Sequence, residues 1–131
     1  MAVDPEFLDH ALELLSGLGP LRTGRMFSGV AVYAEDDVMV AMITSDHVIY
    51  LKSDDATRPA LAAAGSVPFT YTRATGVRRV TSLMSLPDRA MDDPAEALDW
   101  ARAAMAPARA AAEVKRREKA RRASRKVKRR T

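Results

Sequence analysis

The last nineteen residues of this 131-residue chain carry the side chains with the clearest chemical consequence. Eleven of the 21 Lys and Arg lie there, opposed only by Glu113 and Glu118, so this basic tail has a net charge of +9. Residues 1–112 carry ten bases against fifteen acids, a net charge of −5. Ammonium and guanidinium groups bind phosphate, so the basic tail is a candidate nucleic-acid-binding segment. Its candidate residues are Lys115, Arg116, Arg117, Lys119, Arg121, Arg122, Arg125, Lys126, Lys128, Arg129 and Arg130.

The composition of the basic tail favours phosphate contact without readout of base sequence. It has no aromatic side chain to stack on bases, and no recognition-helix motif appears in residues 1–112. Binding to DNA or RNA would therefore be non-specific and would weaken as salt rises. An acidic protein partner is an alternative, as is a solvated extension without a partner. No membrane partner is expected, because the tail lacks Trp, Phe and Leu.

The other polar clusters do not form a catalytic or metal-binding pattern. Three pairs of adjacent acids could hold Mg²⁺ or exchange protons, but Asp is favoured in turns and at helix N-caps, which explains them better. His10 and His47 have no cysteine or third histidine to complete a ligand set. Ser28-Gly29 lies in no phosphate-loop or nucleophile-elbow motif. The sequence predicts no enzyme, no metal site and no cofactor. The acid pairs are Asp36-Asp37, Asp54-Asp55 and Asp92-Asp93.

Three bases of residues 1–112 deserve separate attention, namely Arg25, Lys52 and Arg58. Their charges could converge with those of Asp54 and Asp55 near one end of the predicted sheet. An internal ion-pair cluster that holds the loop after Lys52 is the favoured interpretation. An anion-binding site is the alternative, and it would require the neighbouring acids to turn away.

Local patterns predict the elements that position these residues. Asp4-Pro5 opens an amphipathic helix, with Asp4 as the N-cap, and Gly17 and Gly19-Pro20 end it. Residues 25–52 are rich in β-branched and aromatic side chains interrupted by short acidic turns, which predicts three consecutive antiparallel strands. Loops of three or four residues are too short for crossover helices, so these strands should form a meander.

The middle of the chain predicts a short helix and a hairpin. Thr57 can cap a helix that closes at Gly65, with Pro59 in its first turn. Residues 68–72 and 78–83 predict two further strands, and Gly76 supplies a positive φ in the turn between them.

The C-terminal helix has the clearest boundary in the sequence. Asp93-Pro94 supplies an N-cap and a proline at the first helical position, and Glu96 is placed to complete a capping box. Pro107 predicts a kink or a restart of the helix. Beyond it the chain favours helix, but bases fall on every face, so we expect a segment that has nothing to dock against and that frays in solution. The predicted division is a domain at residues 1–106 and a helical or disordered tail at 107–131.

These elements predict an α+β fold with an antiparallel sheet of about five strands, a meander plus a hairpin, flanked by N-terminal and C-terminal helices. A body of about 110 residues has room for one modest core. No apolar run approaches the length of a membrane span, and acidic residues stand where a secretory signal would carry bases. A cytoplasmic location is the resulting expectation.

Several stretches in order resemble the N-terminal domain of the TfoX/Sxy family, over roughly residues 10–106. Residues 25–29 and 32–33 are similar to the Arg-Met-Phe-Gly-Gly opening of the family and its hydrophobic-Tyr strand. Residues 50–59 are the most distinctive stretch, followed by residues 63–65, 68–71 and 86–87 and by a helix bearing Trp100-Ala101. The family-motif residues are Arg25, Met26, Phe27, Gly29, Tyr33, Tyr50, Lys52, Asp54, Asp55, Arg58, Pro59, Gly65, Phe69, Tyr71 and Trp100.

The chain departs from the family pattern at three places: Ser28 replaces a glycine, Leu83-Met84 replaces paired tyrosines, and Leu61 replaces a frequent phenylalanine. The resemblance implies an α+β fold, no catalytic activity, and an association with transcriptional control and competence.

Residues and resemblance together give two functional hypotheses. The first is a non-enzymatic accessory regulator, whose region 25–86 docks a transcription factor or another protein while the basic tail contacts DNA or RNA. A second copy of the chain is a further candidate partner. The alternative is a stand-alone protein-interaction or small-ligand module in which the basic tail is incidental.

Overall fold

The computed structural model describes residues 2–26 and 29–130, with side chains to Lys128. The strands form one sheet with helices packed on it. Short 3₁₀ turns at Ser16–Leu18 and Asp88–Asp92 follow the first helix and precede the last one. The elements are α1 Pro5–Leu15, β1 Leu21–Met26, β2 Gly29–Ala34, β3 Val38–Ile43, β4 Ile49–Lys52, α2 Arg58–Ala63, β5 Pro68–Arg73, β6 Gly76–Ser85 and α3 Pro94–Arg130.

The sheet has six strands in the order β1-β2-β3-β4-β6-β5, and all neighbours are antiparallel. The predicted α+β class, meander and hairpin are confirmed. The additional strand is β1, which pairs from Leu21 opposite Ala34 to Met26 opposite Gly29. Its sequence was not predicted to be a strand because it is an edge strand with exposed polar positions and an internal Gly24.

The hairpin joins the meander through its second strand, because β6 and not β5 pairs with β4. Arg73 pairs with Gly76, so the turn is shorter than the predicted residues 73–77. Gly76 has the predicted positive φ, 125°, and Gly65 likewise has a φ of 94° after α2. These two glycines adopt conformations that side chains with a Cβ rarely take.

The main core lies between one face of the sheet and the helices α1 and α3. Leu14 and Leu15 of α1 pack there with Val40 and Leu51 of the strands. A smaller buried cluster consists only of strand residues, among them Met42, and we call its side of the sheet the open face.

Helix α3 continues through Pro107 without a break, so the predicted restart is wrong. Pro107 is buried, and proline removes only the hydrogen bond that an N–H at this position would donate to the carbonyl of Ala103. The predicted domain boundary after residue 106 also falls inside this helix, and Ala108 and Ala112 beyond it belong to the main core.

The predicted helix caps differ in their details. The carboxylate of Asp93 accepts the Glu96 N–H at 3.2 Å, as predicted, but the Glu96 carboxylate accepts instead from Arg89 at 2.7 Å and from the Trp100 indole at 3.3 Å. The capping box is therefore only half formed. Asp4 precedes α1 without capping it through its side chain, and its carboxylate lies 3.5 Å from His47 Nε2.

Candidate nucleic-acid interface

Helix α3 divides into two segments by burial. At about 1.5 Å per residue its 37 residues extend about 55 Å. In the docked segment, residues 94–112, five alanines are buried, and their small side chains let the helix approach the sheet closely. In the projecting segment, residues 113–128, every described side chain is exposed. The buried alanines are Ala97, Ala101, Ala104, Ala108 and Ala112.

The helix face that packs on the sheet in the docked segment becomes basic in the projecting segment. From Ala108 and Ala112 the same face continues, at steps of three and four residues, through a row of four cations. This basic stripe is about 16 Å long at 1.5 Å per residue. It consists of Lys115, Lys119, Arg122 and Lys126.

The projecting segment is tied to the body at its start by the turn between β2 and β3. Arg116 donates to both carboxylate oxygens of Asp37 at 2.7 and 2.6 Å, and Arg109 donates to both of Glu35 at 2.9 and 2.6 Å. These hydrogen bonds hold the pKa of Asp37 and of Glu35 below their ordinary values. The prediction that the helix beyond Pro107 has nothing to dock against is therefore wrong.

The geometry of this acidic turn, residues 35–37, presents its carboxylates to the helix. Glu35 and Asp36 have φ values of 48° and 68°, in the left-handed region that non-glycine residues seldom occupy. Arg22 of β1 donates two hydrogen bonds, at 3.1 and 2.8 Å, to the Asp36 carbonyl. The position of Asp36 in a turn with a left-handed backbone agrees with the predicted turn role of this acid pair. The Asp37 carboxylate instead binds Arg116 of the helix.

The other predicted nucleic-acid-binding residues differ in their contacts. Arg117 forms an ion pair along the helix with Glu113 at 2.6 Å. Lys128 is exposed. The side chains of Arg129 and Arg130 lie outside the described residues. The remaining cations are exposed and, within the part of the chain that the structure describes, form no ion pair. They are Lys115, Lys119, Arg121, Arg122, Arg125 and Lys126.

The predicted convergence of bases and acids around Lys52 occurs only in part. Arg58 pairs with Asp55 at 2.8 Å and donates to the Thr81 carbonyl. The Asp54 carboxylate accepts the N–H groups of Ala56 and Thr57, so Asp54, rather than the predicted Thr57, caps the turn into α2.

Arg25 and Lys52 take no part in that cluster. Arg25 pairs with Val30, and the same register continues across the sheet through Ile43 to Ile49. Ile49 is at the end of β4 remote from Lys52, so the two bases lie at opposite ends of the strands. Within residues 2–26 and 29–128 neither base forms an ion pair. Lys52 is partly buried, and this burial together with the charge of Lys115 lowers its pKa.

Four aromatic family-motif residues, Tyr33, Tyr50, Phe69 and Tyr71, lie on the open face. The rings of Tyr50 and Phe69 lie edge to face with centroids 5.1 Å apart, and Tyr71 stacks on Phe69 at 5.9 Å. Arg22 lies 4.2 Å from the centre of the Tyr33 ring, and Met26 packs in the same cluster. The sequence separation of these residues gave no indication that the sheet gathers them.

The other motif residues have structural positions. A Cβ at Gly29 would collide with the carbonyl oxygen of Ile43, which explains why glycine stands there. Pro59 lies in the first turn of α2, and Trp100 is partly buried in α3. Phe27 lies outside the described residues.

Reasoning from the sequence missed Arg109, Glu35 and Arg22 as residues that fix the helix. The seven-residue spacing of Arg109 and Arg116 places both on one side of α3 and was visible in the sequence. Which of the acidic turns would lie beneath them was not, because that depends on how the helix crosses the sheet.

Metal-ligand clusters and membrane-spanning helices are absent from the described residues. No group of three His, Cys, Asp or Glu among residues 2–26 and 29–130 could hold a metal ion. None of the helices in those ranges combines the length and apolar character needed to cross a membrane.

These features define a small α+β protein in which helices cover one face of an antiparallel sheet and a basic helix extends beyond it. The family model of the TfoX N-terminal domain matches residues 13–108, and the chain belongs to this family. The resemblance seen in the sequence is thereby confirmed, and membership points to a family related to competence and regulation that is generally not enzymatic. No curated protein matches the chain.

Proposed function

We propose that this protein is a non-enzymatic accessory regulator that contacts DNA or RNA through the projecting segment of α3 and docks a protein through its body. The observation that carries the proposal is the basic stripe, four exposed cations on one helix face without a carboxylate partner among the described residues. A helix face of this charge is attracted to a polyanion whatever its base sequence.

The ion pairs at the start of the segment support this role. Because Arg116 is held by Asp37 and Arg117 by Glu113, their charges are largely compensated by the protein itself. The basic stripe begins beside these two arginines and extends along the helix away from the acidic turn. We therefore assign nucleic-acid contact to Lys115, Lys119, Arg122 and Lys126 before the other predicted bases.

The open face is the surface we propose for a protein partner, a transcription factor or a second copy of the chain. It carries the contacting rings of Tyr50, Phe69 and Tyr71. The buried residues of the cluster on this face all belong to strands. Aromatic side chains are enriched at protein interfaces. The cytoplasmic location predicted from the sequence belongs to the same proposal, because nucleic acid and its regulators are there.

A small-ligand module is the second candidate, favoured by one observation. A cavity of about 240 Å³ between β4, α2 and α3 has a largely apolar lining that includes Leu51, Leu61 and Trp100. A saturable small-molecule complex that leaves nucleic-acid binding unchanged would favour this function over the regulator.

The experiment compares two full-length variants that lose the same charge. One changes the stripe to glutamine at Lys115, Lys119, Arg122 and Lys126. The matched control changes Arg117, Arg121, Arg125 and Lys128, which lie on α3 outside the stripe. Binding to a duplex DNA and a structured RNA is measured by fluorescence anisotropy at about 50 and 200 mM salt.

We expect the unaltered chain to lose two to three decades of affinity between the two salt concentrations if about five phosphates are contacted. The stripe variant should bind most weakly at low salt and show the smallest salt dependence, with the control in between. Negligible binding by the unaltered chain at low salt, or equal binding by all three proteins, would remove the proposal.

A further inference from the structure

A second cavity, of about 260 Å³, lies where the docked segment of α3 passes into the projecting segment. Tyr33 and Met39 line it from the sheet, and Ala108, Ala111 and Ala112 line it from the helix. Its remaining walls are charged: one acid and four bases. These are Asp37, Lys52, Lys115, Arg116 and Lys119.

The charges around this cavity do not balance. Asp37 already accepts hydrogen bonds from Nε and Nη2 of Arg116, which leaves three ammonium groups without an ion-pair partner among the described residues. Two of them, Lys115 and Lys119, are one helical turn apart on α3, and Lys52 approaches from the end of β4. Three like charges around one small cavity repel each other, and an anion between them removes that repulsion.

The position of Lys52 strengthens the case. It is partly buried, and burial together with the Lys115 charge lowers its pKa. A lysine that served only to cover apolar surface would extend its ammonium group into solvent. One that lines a recess with two other lysines is placed to bind an anion at short range.

We propose that Lys52, Lys115 and Lys119 form a binding site for a phosphoryl group. The cavity is below the size of pockets that hold drug-sized molecules, which is suitable for a phosphate or pyrophosphate group with the remainder of its ligand outside. Lysine binds phosphate as a point charge, whereas a planar carboxylate is matched better by arginine. The Tyr33 and Ala111 positions limit the space beside the lysines.

This site goes beyond non-specific contact along the basic stripe, because it adds Lys52 of β4 to Lys115 and Lys119, which it shares with the stripe and with the proposed function. The phosphoryl group could belong to a small phosphorylated compound or to the backbone of a nucleic acid. Both share the chemistry that the three lysines recognise, and they differ in what extends from the cavity.

The test titrates the full-length protein with sodium pyrophosphate by isothermal calorimetry and by NMR of the lysine side chains. Three variants are compared: Lys52→Met, which keeps the apolar stem, Ala111→Leu, which fills the cavity and keeps every cation, and Lys126→Met on the stripe outside it. Circular dichroism checks that each variant is folded.

We expect saturable one-to-one binding, with the Lys52 ammonium resonance shifted. Affinity should fall about tenfold or more in Lys52→Met and in Ala111→Leu, and change less than about twofold in Lys126→Met. Absence of saturable binding would overturn the proposal, as would equal losses in Lys52→Met and Lys126→Met. If Lys52→Met does not fold, unaltered binding by Ala111→Leu overturns it.

A second arm identifies the source of the phosphoryl group. Duplex DNA is added to the pyrophosphate-loaded protein, and free pyrophosphate is followed by ³¹P NMR. Displacement assigns the site to a backbone phosphate, and simultaneous binding assigns it to a small phosphorylated ligand. Failure of this site is distinguishable from failure of the proposed function, because pyrophosphate binding is measured first without nucleic acid.

Discussion

The docked and projecting segments of α3 are two halves of one helix that are stabilised in different ways. In the docked segment, Ala104 and Ala108 are nearly inaccessible and belong to the main core. In the projecting segment, the equivalent face bears Lys119 and Lys126, which are exposed. The first half is helical because it packs on the sheet, and the second because alanine, lysine, arginine and glutamate are strong helix formers.

The difference shows how one helical repeat can serve two purposes. Steps of three and four residues keep one face turned to the body along the whole helix. Alanine on that face allows close packing while the sheet lies beneath it, and lysine or arginine on that face meets solvent or a polyanion once the sheet has ended. The acidic turn marks the change, because Arg109 and Arg116 bind it from either side of Ala112.

The largest expected effect comes from placing the same carboxylate in each half. Ala108→Glu inserts a charge and four extra heavy atoms at a site that is 1% exposed, and we expect it to lower the free energy of unfolding by about 3 kcal/mol or more. Ala120→Glu is exposed and should change it by less than about 0.5 kcal/mol. Urea denaturation followed by circular dichroism measures both. Equal effects would show that the two halves are not packed differently.

A smaller effect is expected at the boundary between the halves. The pKa of Lys52 is lowered, so the folded state binds this proton less readily than the unfolded state does. Charged Lys52 therefore destabilises the fold at neutral pH, and stability should rise as pH climbs from the lowered pKa toward the ordinary one. Lys52→Met should raise the free energy of unfolding by about 1 kcal/mol at neutral pH and remove this rise. A loss of stability in Lys52→Met would contradict the prediction.

The acidic turn should affect local opening more than global stability. Arg116→Gln removes both hydrogen bonds to Asp37, and Arg117→Gln is a matched control because its ion pair lies within the helix. We expect amide hydrogen exchange at residues 110–118 to become severalfold faster in Arg116→Gln and to change little in Arg117→Gln. Similar exchange in both variants would mean that the turn does not hold the helix.

The smallest expected effect is the response of the same contacts to acid. The pKa values of Glu35 and Asp37 are lowered, so their contribution to stability is complete above the ordinary carboxyl pKa and is lost as pH falls through the lowered values. The protection factors at residues 110–118, which correct for the intrinsic pH dependence of amide exchange, should therefore fall under acid. The double variant Glu35→Gln, Asp37→Asn should show a smaller fall. An unchanged pH profile would exclude the ion pairs as its cause.

Much of the fold was predictable from local signals. The cap at Asp93 and the positive φ at Gly76 follow from side-chain and backbone chemistry within a few residues, and the structure contains both. Edge strand β1 was missed because its polar, glycine-containing sequence becomes a strand only by pairing with β2. The family-motif stretches gave the overall fold independently of these signals.

The candidate site was predictable as a composition and not as an arrangement. Eleven bases in nineteen residues identify a polyanion-binding segment on charge alone. The number of bases does not predict that Arg116 is bound by Asp37, or that Lys52 of β4 and Lys115 line the same cavity. Those contacts join residues more than sixty positions apart, and no local pattern specifies them.

Local sequence is enough to predict the separation of charge, the helical character of the C-terminus and the antiparallel sheet, because composition, propensity and loop length act over short stretches of chain. The folded structure is needed to learn that α3 continues past Pro107 and lies on the sheet, and therefore which bases are compensated and which are exposed. An ion pair or a cavity depends on the crossing of distant elements, and that crossing is set by the packing of the whole core.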